Sequence, residues 1–276
     1  MNSAEKNISN FYNTVGWESE AQVYEDTKRF EDLREHAQEY NDKCRLRVAR
    51  HIPATGDKML DMASGPIPYK EYIEYSKNYQ KRYCVDLSAK ALADAKRKIG
   101  DQGVFLCSSF FDLELEENLF DCAISLHTIY HMDREKQEEA VRKLIAVTKP
   151  GKPVIIVYRN PNTLIEHIVS PLRTIKRAWK RLNNESTISD SEAELYAFAH
   201  QISWWDRFNG EADIKIFPWR SFFAPHQKIL IPNNKLGKKI FDVLFNLEEK
   251  FPNFFVKHFQ YPMIVLKKKE SARIAS

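Results

Sequence analysis

None of the four cysteines, Cys44, Cys84, Cys107 and Cys122, forms a C-x-x-C pair. That argues against a structural zinc site. Three of the four fall in predicted buried strands, so they read as reduced core thiols of a cytoplasmic protein rather than as disulfides. No apolar run approaches the ~20 residues that cross a bilayer; Val154-Ile155-Ile156-Val157 is one of the most apolar stretches. The first residues, Met1-Asn2-Ser3-Ala4-Glu5-Lys6-Asn7, lack the apolar core of a secretory signal. Internal repeats and low-complexity tracts are missing too. Nor is there a large charge excess: the net charge is +4 over 276 residues, with 43% hydrophobic and 29% charged. This is ordinary for a soluble globular protein and modest for one that holds a nucleic-acid backbone. It suits an anionic substrate or surface without demanding one.

What is present is an alternation of strand and helix signals. Short apolar runs at 57–62, 82–86, 103–107, 119–126 and 153–158 read as strands. Between them, 68–77 and 89–99 read as helices, the second capped by Ser88 and striped by Ala91, Leu92, Ala95 and Ile99. A further helix is expected from an Asp133 cap to about Thr148. The run 119–126 is apolar on both faces and should be central. This order implies a parallel sheet with helices on both faces. Beyond it, 162–208 reads as helices, 212–217 and 227–231 as strands, 235–250 as a helix and 261–266 as a last strand. The expected division is an N-terminal helical segment (1–50), a core (51–160), a helical cap (161–210), the remaining sheet (211–269) and a frayed tail (270–276).

Ligands of open α/β sheets bind at the carboxyl ends of the strands. Asp61 ends the first predicted strand, and Ala63 and Gly65 lack the bulk that would keep a ligand from the backbone. Asp86 ends the second, where a carboxylate can accept both hydroxyl hydrogens of a ribose. A dinucleotide would want G-x-G-x-x-G and free N–H groups for its pyrophosphate. Pro66 and Pro68 remove two such donors. The expected ligand is therefore a nucleoside without phosphates.

These segments together resemble a class I S-adenosylmethionine-dependent methyltransferase of the small-molecule type, similar to methyltransferase domains 11 and 25. Leu60-Asp61-Met62-Ala63-Ser64-Gly65-Pro66 resembles the first motif, with Ala63 for the usual first glycine and Ile67 where a third often stands. Val85-Asp86-Leu87-Ser88 resembles the ribose-binding acid and its following helix. Cys107-Ser108-Ser109-Phe110 stands where adenine contacts are placed, with Ser108 or Ser109 in place of the usual acid. Phe120 to His127 resembles the fourth strand and the loop facing the methyl group, and Lys149-Pro150-Gly151 the entry to the fifth. Phe11 to Trp17 resembles the segment that folds over the cofactor. The resemblance implies a Rossmann-like, mostly parallel sheet with an antiparallel last strand and a helical cap insertion. It implies S-adenosylmethionine as cofactor, S-adenosylhomocysteine as product, and contacts from Asp61, Ala63, Ser64, Gly65, Pro66, Asp86, Leu87, Ser108, Ser109, Phe110, His127, Tyr12 and Trp17.

Methyl transfer needs alignment of acceptor, methyl and sulfur, and a hydroxyl acceptor needs a base as well. His127, after the fourth strand, is the first candidate, His131 the second, and Tyr130 could hydrogen-bond either ligand. The two histidines lack a third ligand, so no metal is expected. The aromatic and basic set His200, Trp204, Arg207 and Arg220 suits a polar, sugar-like or carboxylate-bearing acceptor. A basic run at 173–181 leaves peripheral membrane contact open. The branch that methylates nucleobase amino groups carries Asp/Asn-Pro-Pro-aromatic after the fourth strand; Ser125-Leu126-His127-Thr128-Ile129-Tyr130-His131 stands there instead, so no nucleic acid is expected. The remaining alternatives are a lipid-linked acceptor and a non-catalytic binding protein whose Ile67 fills the cofactor pocket.

Overall fold

The computed structural model describes Trp17 and residues 19–20, 23–165 and 196–270. Tyr12 and most of the predicted cap, with its basic run 173–181, lie outside the described residues.

Seven strands form one sheet: β1 (Gly56–Met62), β2 (Tyr79–Asp86), β3 (Gly103–Cys107), β4 (Cys122–Leu126), β5 (Pro153–Val157), β6 (Ala212–Arg220) and β7 (Tyr261–Lys268). Their spatial order is β3-β2-β1-β4-β5-β7-β6, parallel except for β7, which runs antiparallel to both neighbours. The order reverses between β1 and β4, the switch point where such sheets open a crevice. Because β7 is reversed, its first residue, Tyr261, lies at the same sheet edge as the last residues of the other strands. There it pairs in register with Arg220, the end of β6.

Among the described residues eight α-helices surround the sheet: α1 (Glu25–Phe30), α2 (Glu35–Ala49), α3 (Lys70–Glu74), α4 (Ala89–Ile99), α5 (Gln137–Val147), α6 (Ala224–Leu230), α7 (Lys235–Lys250) and α8 (Pro252–His258). Alternate side chains of the central strands feed two cores, as the pleat requires. Leu60, Met62 and Ala123 face α5 and the 3₁₀ segment Ile202–Phe208, where Trp205 and Phe208 are fully buried. Met59, Cys84, Ile124 and Ile155 face the opposite way, toward Leu92 and Ala95 of α4 and toward Trp219. A third cluster joins Tyr40 and Cys44 of α2 to Phe241 and Leu244 of α7. Within it, the buried Glu248 carboxylate accepts from Arg47 (2.8 Å), Tyr40 Oη (2.6 Å) and the Ser221 N–H (3.0 Å). The last bond fixes the chain immediately after Arg220.

The predicted strands and helices of the core recur with small shifts. The Ser88 hydroxyl does cap α4, accepting from the Ala91 N–H at 3.2 Å. Four expectations are corrected. Asp133 makes no side-chain cap; a 3₁₀ turn over Arg134–Lys136 precedes α5. Residues 227–231 belong to α6 and its end, not to a strand. The alternation Gln227-Lys228-Ile229-Leu230-Ile231 mimics a strand, but Pro225 starts a helix and buries His226 and Gln227. Arg34 then donates to the carbonyls of Gln227 (2.9 Å) and Ile231 (2.8 Å). Helix α8 was not foreseen; it starts at Pro252 and buries Phe255 and Val256. Cys107 is exposed, whereas Cys44, Cys84 and Cys122 are buried and all four are free thiols. Among the described residues no helix is long and apolar enough to cross a membrane.

Candidate active site

A cavity of about 1010 Å³ opens at the carboxyl edge of the sheet. Its floor is the turn after β1. Ala63 (φ 59°), Gly65 (φ 53°) and Ile67 (φ 51°) all adopt left-handed backbone there, a conformation that costs a side-chain-bearing residue energy and needs external support. Asp86 gives that support. Its Oδ2 accepts from the Gly65 N–H at 2.8 Å and its Oδ1 from the Ser88 N–H at 2.9 Å. A carboxylate has about four acceptor positions, more than these two bonds use. Burial nevertheless pushes the Asp86 pKa up to about 6, against the pull of these N–H groups.

Trp17 covers the turn: a Cβ on Gly65 would come within 2.9 Å of its indole ring. Ile67 points away from the cavity into the core beside Tyr72 and Leu92. Pro66 does not line the cavity either; its carbonyl and that of Ile67 accept from Lys98 Nζ at 2.7 and 2.8 Å. Asp61 does line the floor, held by Arg82 through Nη2 at 2.5 Å and Nε at 3.1 Å.

The other strand ends complete the wall. Ser64, Leu87, Ser108 and Phe110 line the cavity as expected, while Ser109 is buried behind them and accepts from the Phe111 N–H at 3.3 Å. After β4, His127 has φ 60° and donates its N–H to the Val157 carbonyl at 3.0 Å. Its ring lies 4.4 Å from that of Trp219 and 4.9 Å from that of Tyr261, and its Nδ1 is 3.3 Å from Tyr130 Oη. Burial, with Arg220 nearby, holds the imidazole well below its usual pKa, and burial raises the Tyr130 phenol. Both are neutral near pH 7. His131 is lowered by burial to about 4, and its Nδ1 meets the Tyr196 carbonyl at 2.7 Å. The two histidines thus serve different partners. Among the described residues the one cluster with metal-ligand spacing is Glu35, His36 and Glu39 on α2.

Opposite the floor, the cavity takes residues from distant parts of the chain: Asp26, Arg29, Phe30 and Glu31 of α1 and its end, Arg159 after β5, Arg220, Phe223 and Tyr261. Of the four predicted acceptor residues only Arg220 is here. Trp204 is buried against Trp205 and Phe208, with His200 stacked on it at 4.4 Å. Arg207 pairs with Glu138 on the outer surface. Sequence reasoning missed Arg159 and Tyr261. The strand-end rule that found His127 could have found Arg159, two residues past β5; Tyr261 required knowing that β7 is reversed.

Residues 60–156 match the model of a methyltransferase domain. No curated protein matches the chain in sequence. Many solved structures share its fold, three of which follow. An S-adenosylmethionine-dependent methyltransferase from Archaeoglobus fulgidus is 16% identical, with 83% of this chain and 94% of that one covered and a TM-score of 0.51. The N-methyltransferase NodS of Bradyrhizobium japonicum, solved with S-adenosylhomocysteine, is 9% identical over 87% and 90%, with a TM-score of 0.52. The [4+2]-cyclase SpnF is 15% identical over 83% and 82%, also at 0.52. The last shows that this fold hosts other chemistry. The chain therefore contains, over residues 60–156, a methyltransferase domain and has the fold of the class I S-adenosylmethionine-dependent methyltransferases.

Proposed function

We propose that the protein transfers a methyl group from S-adenosylmethionine to a hydroxyl of a small polar acceptor, sugar-like or carboxylate-bearing, in the cytoplasm. The observation that carries this reading is Asp86: its carboxylate shapes the turn after β1, lines the cavity, and has acceptor capacity beyond the bonds from Gly65 and Ser88. That donor set fits a ribose with two free hydroxyls. The cavity volume also suits a nucleoside and a small acceptor together.

S-Adenosylmethionine would supply a methyl group already activated on a positively charged sulfur. Asp86 would accept from the ribose, Ala63 and Gly65 would admit the ligand close to the backbone, Ser108 and Phe110 would flank the base, and Trp17 would close over Gly65. His127 then takes the acceptor's proton at Nε2 while its Nδ1–H is held by Tyr130 Oη. An oxygen that is gaining a methyl group becomes a far stronger acid than its alcohol, so even an imidazole of depressed basicity can receive that proton. Ile67, buried in the core, leaves the cavity open, which speaks against a non-catalytic relative with a filled pocket.

Titration calorimetry with S-adenosylhomocysteine should give one site per chain; no heat at high micromolar ligand would remove the reading. Affinity should also depend on pH through Asp86. Its carboxyl group accepts from both ribose hydroxyls only when ionised, and its pKa of about 6 leaves it mostly protonated at pH 5. The dissociation constant should then rise about tenfold between pH 7.5 and pH 5, in proportion to the fraction of competent protein. In Asp86→Asn the affinity should be weak and this dependence absent.

A further inference from the structure

We propose that the acceptor bears, besides its hydroxyl, an oxyanion, a carboxylate or a phosphate, seated by Arg220 and Arg159 beside His127; this deepens the methyltransferase reading and rests on it.

Arg220 is 3% exposed yet lines the cavity. Its Nη1 donates to Glu31 Oε2 at 2.6 Å, but its Nε is buried without a hydrogen-bond partner among the described residues. A buried guanidinium N–H left unmade is costly, and a ligand oxygen in the cavity would satisfy it. The guanidinium carbon lies 4.8 Å from the Trp219 ring centre and 5.4 Å from that of Tyr261. His127 packs on the same two rings. One small molecule lying along them can therefore present an anionic group to Arg220 and a hydroxyl to His127.

The local charge favours an anion. Opposite the floor the lining holds Arg29 and Arg220 against Asp26 and Glu31; Glu31 also accepts from Asn41 and lies 3.6 Å from Arg45, which is itself paired with Asp42 at 2.7 Å. Arg159 adds a third cation. It lines the cavity, is exposed, and makes no ion pair or hydrogen bond among the described residues. A neutral sugar would need no such surplus. A cationic acceptor would be repelled by it. Planar guanidinium forks match carboxylate and phosphate oxygens.

The test uses protein saturated with S-adenosylhomocysteine, at low ionic strength, titrated with glucuronate, glucose 6-phosphate and glucose. At least one anion should bind about tenfold or more tightly than glucose, and Arg159→Gln should weaken it by about tenfold with S-adenosylhomocysteine affinity unchanged. Tighter glucuronate assigns a carboxylate, tighter glucose 6-phosphate a phosphate. Arg220→Lys, which keeps the charge but loses the fork, should weaken the same ligand; if it melts early, the exposed Arg159 decides alone. Anions that bind no better than glucose, or that ignore Arg159→Gln, overturn the inference while the methyltransferase reading stands. Failure of S-adenosylhomocysteine itself to bind removes both.

Discussion

Replacing His127 by alanine is expected to lower turnover by about 100-fold or more, the usual contribution of a positioned general base, while S-adenosylhomocysteine affinity changes little. His127 stands where β4 delivers it, wedged between Trp219 and Tyr261 with Nδ1 on Tyr130. None of these contacts reaches Gly65 or Asp86, so loss of the ring should not disturb the nucleoside floor. Alanine does carry a cost of its own at φ 60°, of about 1 kcal/mol. His127→Asn removes that ambiguity, because asparagine tolerates left-handed backbone. Both variants should lose turnover alike, and the asparagine variant should melt closer to the parent. A larger loss in cofactor affinity than in turnover would recast His127 as a cofactor ligand. The pH profile gives a second check. Burial keeps the imidazole well below 6.5, so at saturating cofactor turnover should show no histidine inflection between about pH 6 and 8.

The largest effect on stability is expected at Arg82. It is 1% exposed and holds the carboxylate of Asp61, which is 4% exposed. It also donates to the Tyr72 carbonyl at 2.5 Å and to Ser76 Oγ at 3.4 Å. Arg82→Met leaves Asp61 buried and alone, and breaking such a pair from one side costs about 3–5 kcal/mol. Denaturant midpoints should record that loss. The double variant Arg82→Met/Asp61→Asn should recover part of it, because the unpaired charge is gone even though the packing is not restored. If Arg82→Met alone falls within about 1 kcal/mol of the parent, the pair is not holding the strand end as argued.

The half of the cavity built from the turn after β1 and the neighbouring strand ends was legible in the sequence because its signals are local. Each of Asp61, Gly65, Asp86, Ser108 and His127 follows a short apolar run, and the strand-end rule converts that position into a place in the cavity. The opposite wall was not, because its residues come together only through the order of β5, β7 and β6. Composition misled there: His200, Trp204 and Arg207 share the aromatic and basic character of a polar pocket, yet they cover the sheet beside α5. Arg220 has the same character and does reach the cavity. What separates them is register, since Arg220 ends a strand opposite Tyr261. The 227–231 error was of the same kind, a local alternation overridden by Pro225 and by Arg34, just before the distant helix α2.

The reversal of β7 has a consequence for how this site can change. It lets the last third of the chain contribute Arg220, Phe223 and Tyr261 to one wall, while the floor is built from 61–65 and 86–88 alone. Substitutions on the two sides share few partners, so their effects should be close to additive. A chain divided in this way can exchange one wall of its cavity, by drift or by grafting a segment, without rebuilding the floor.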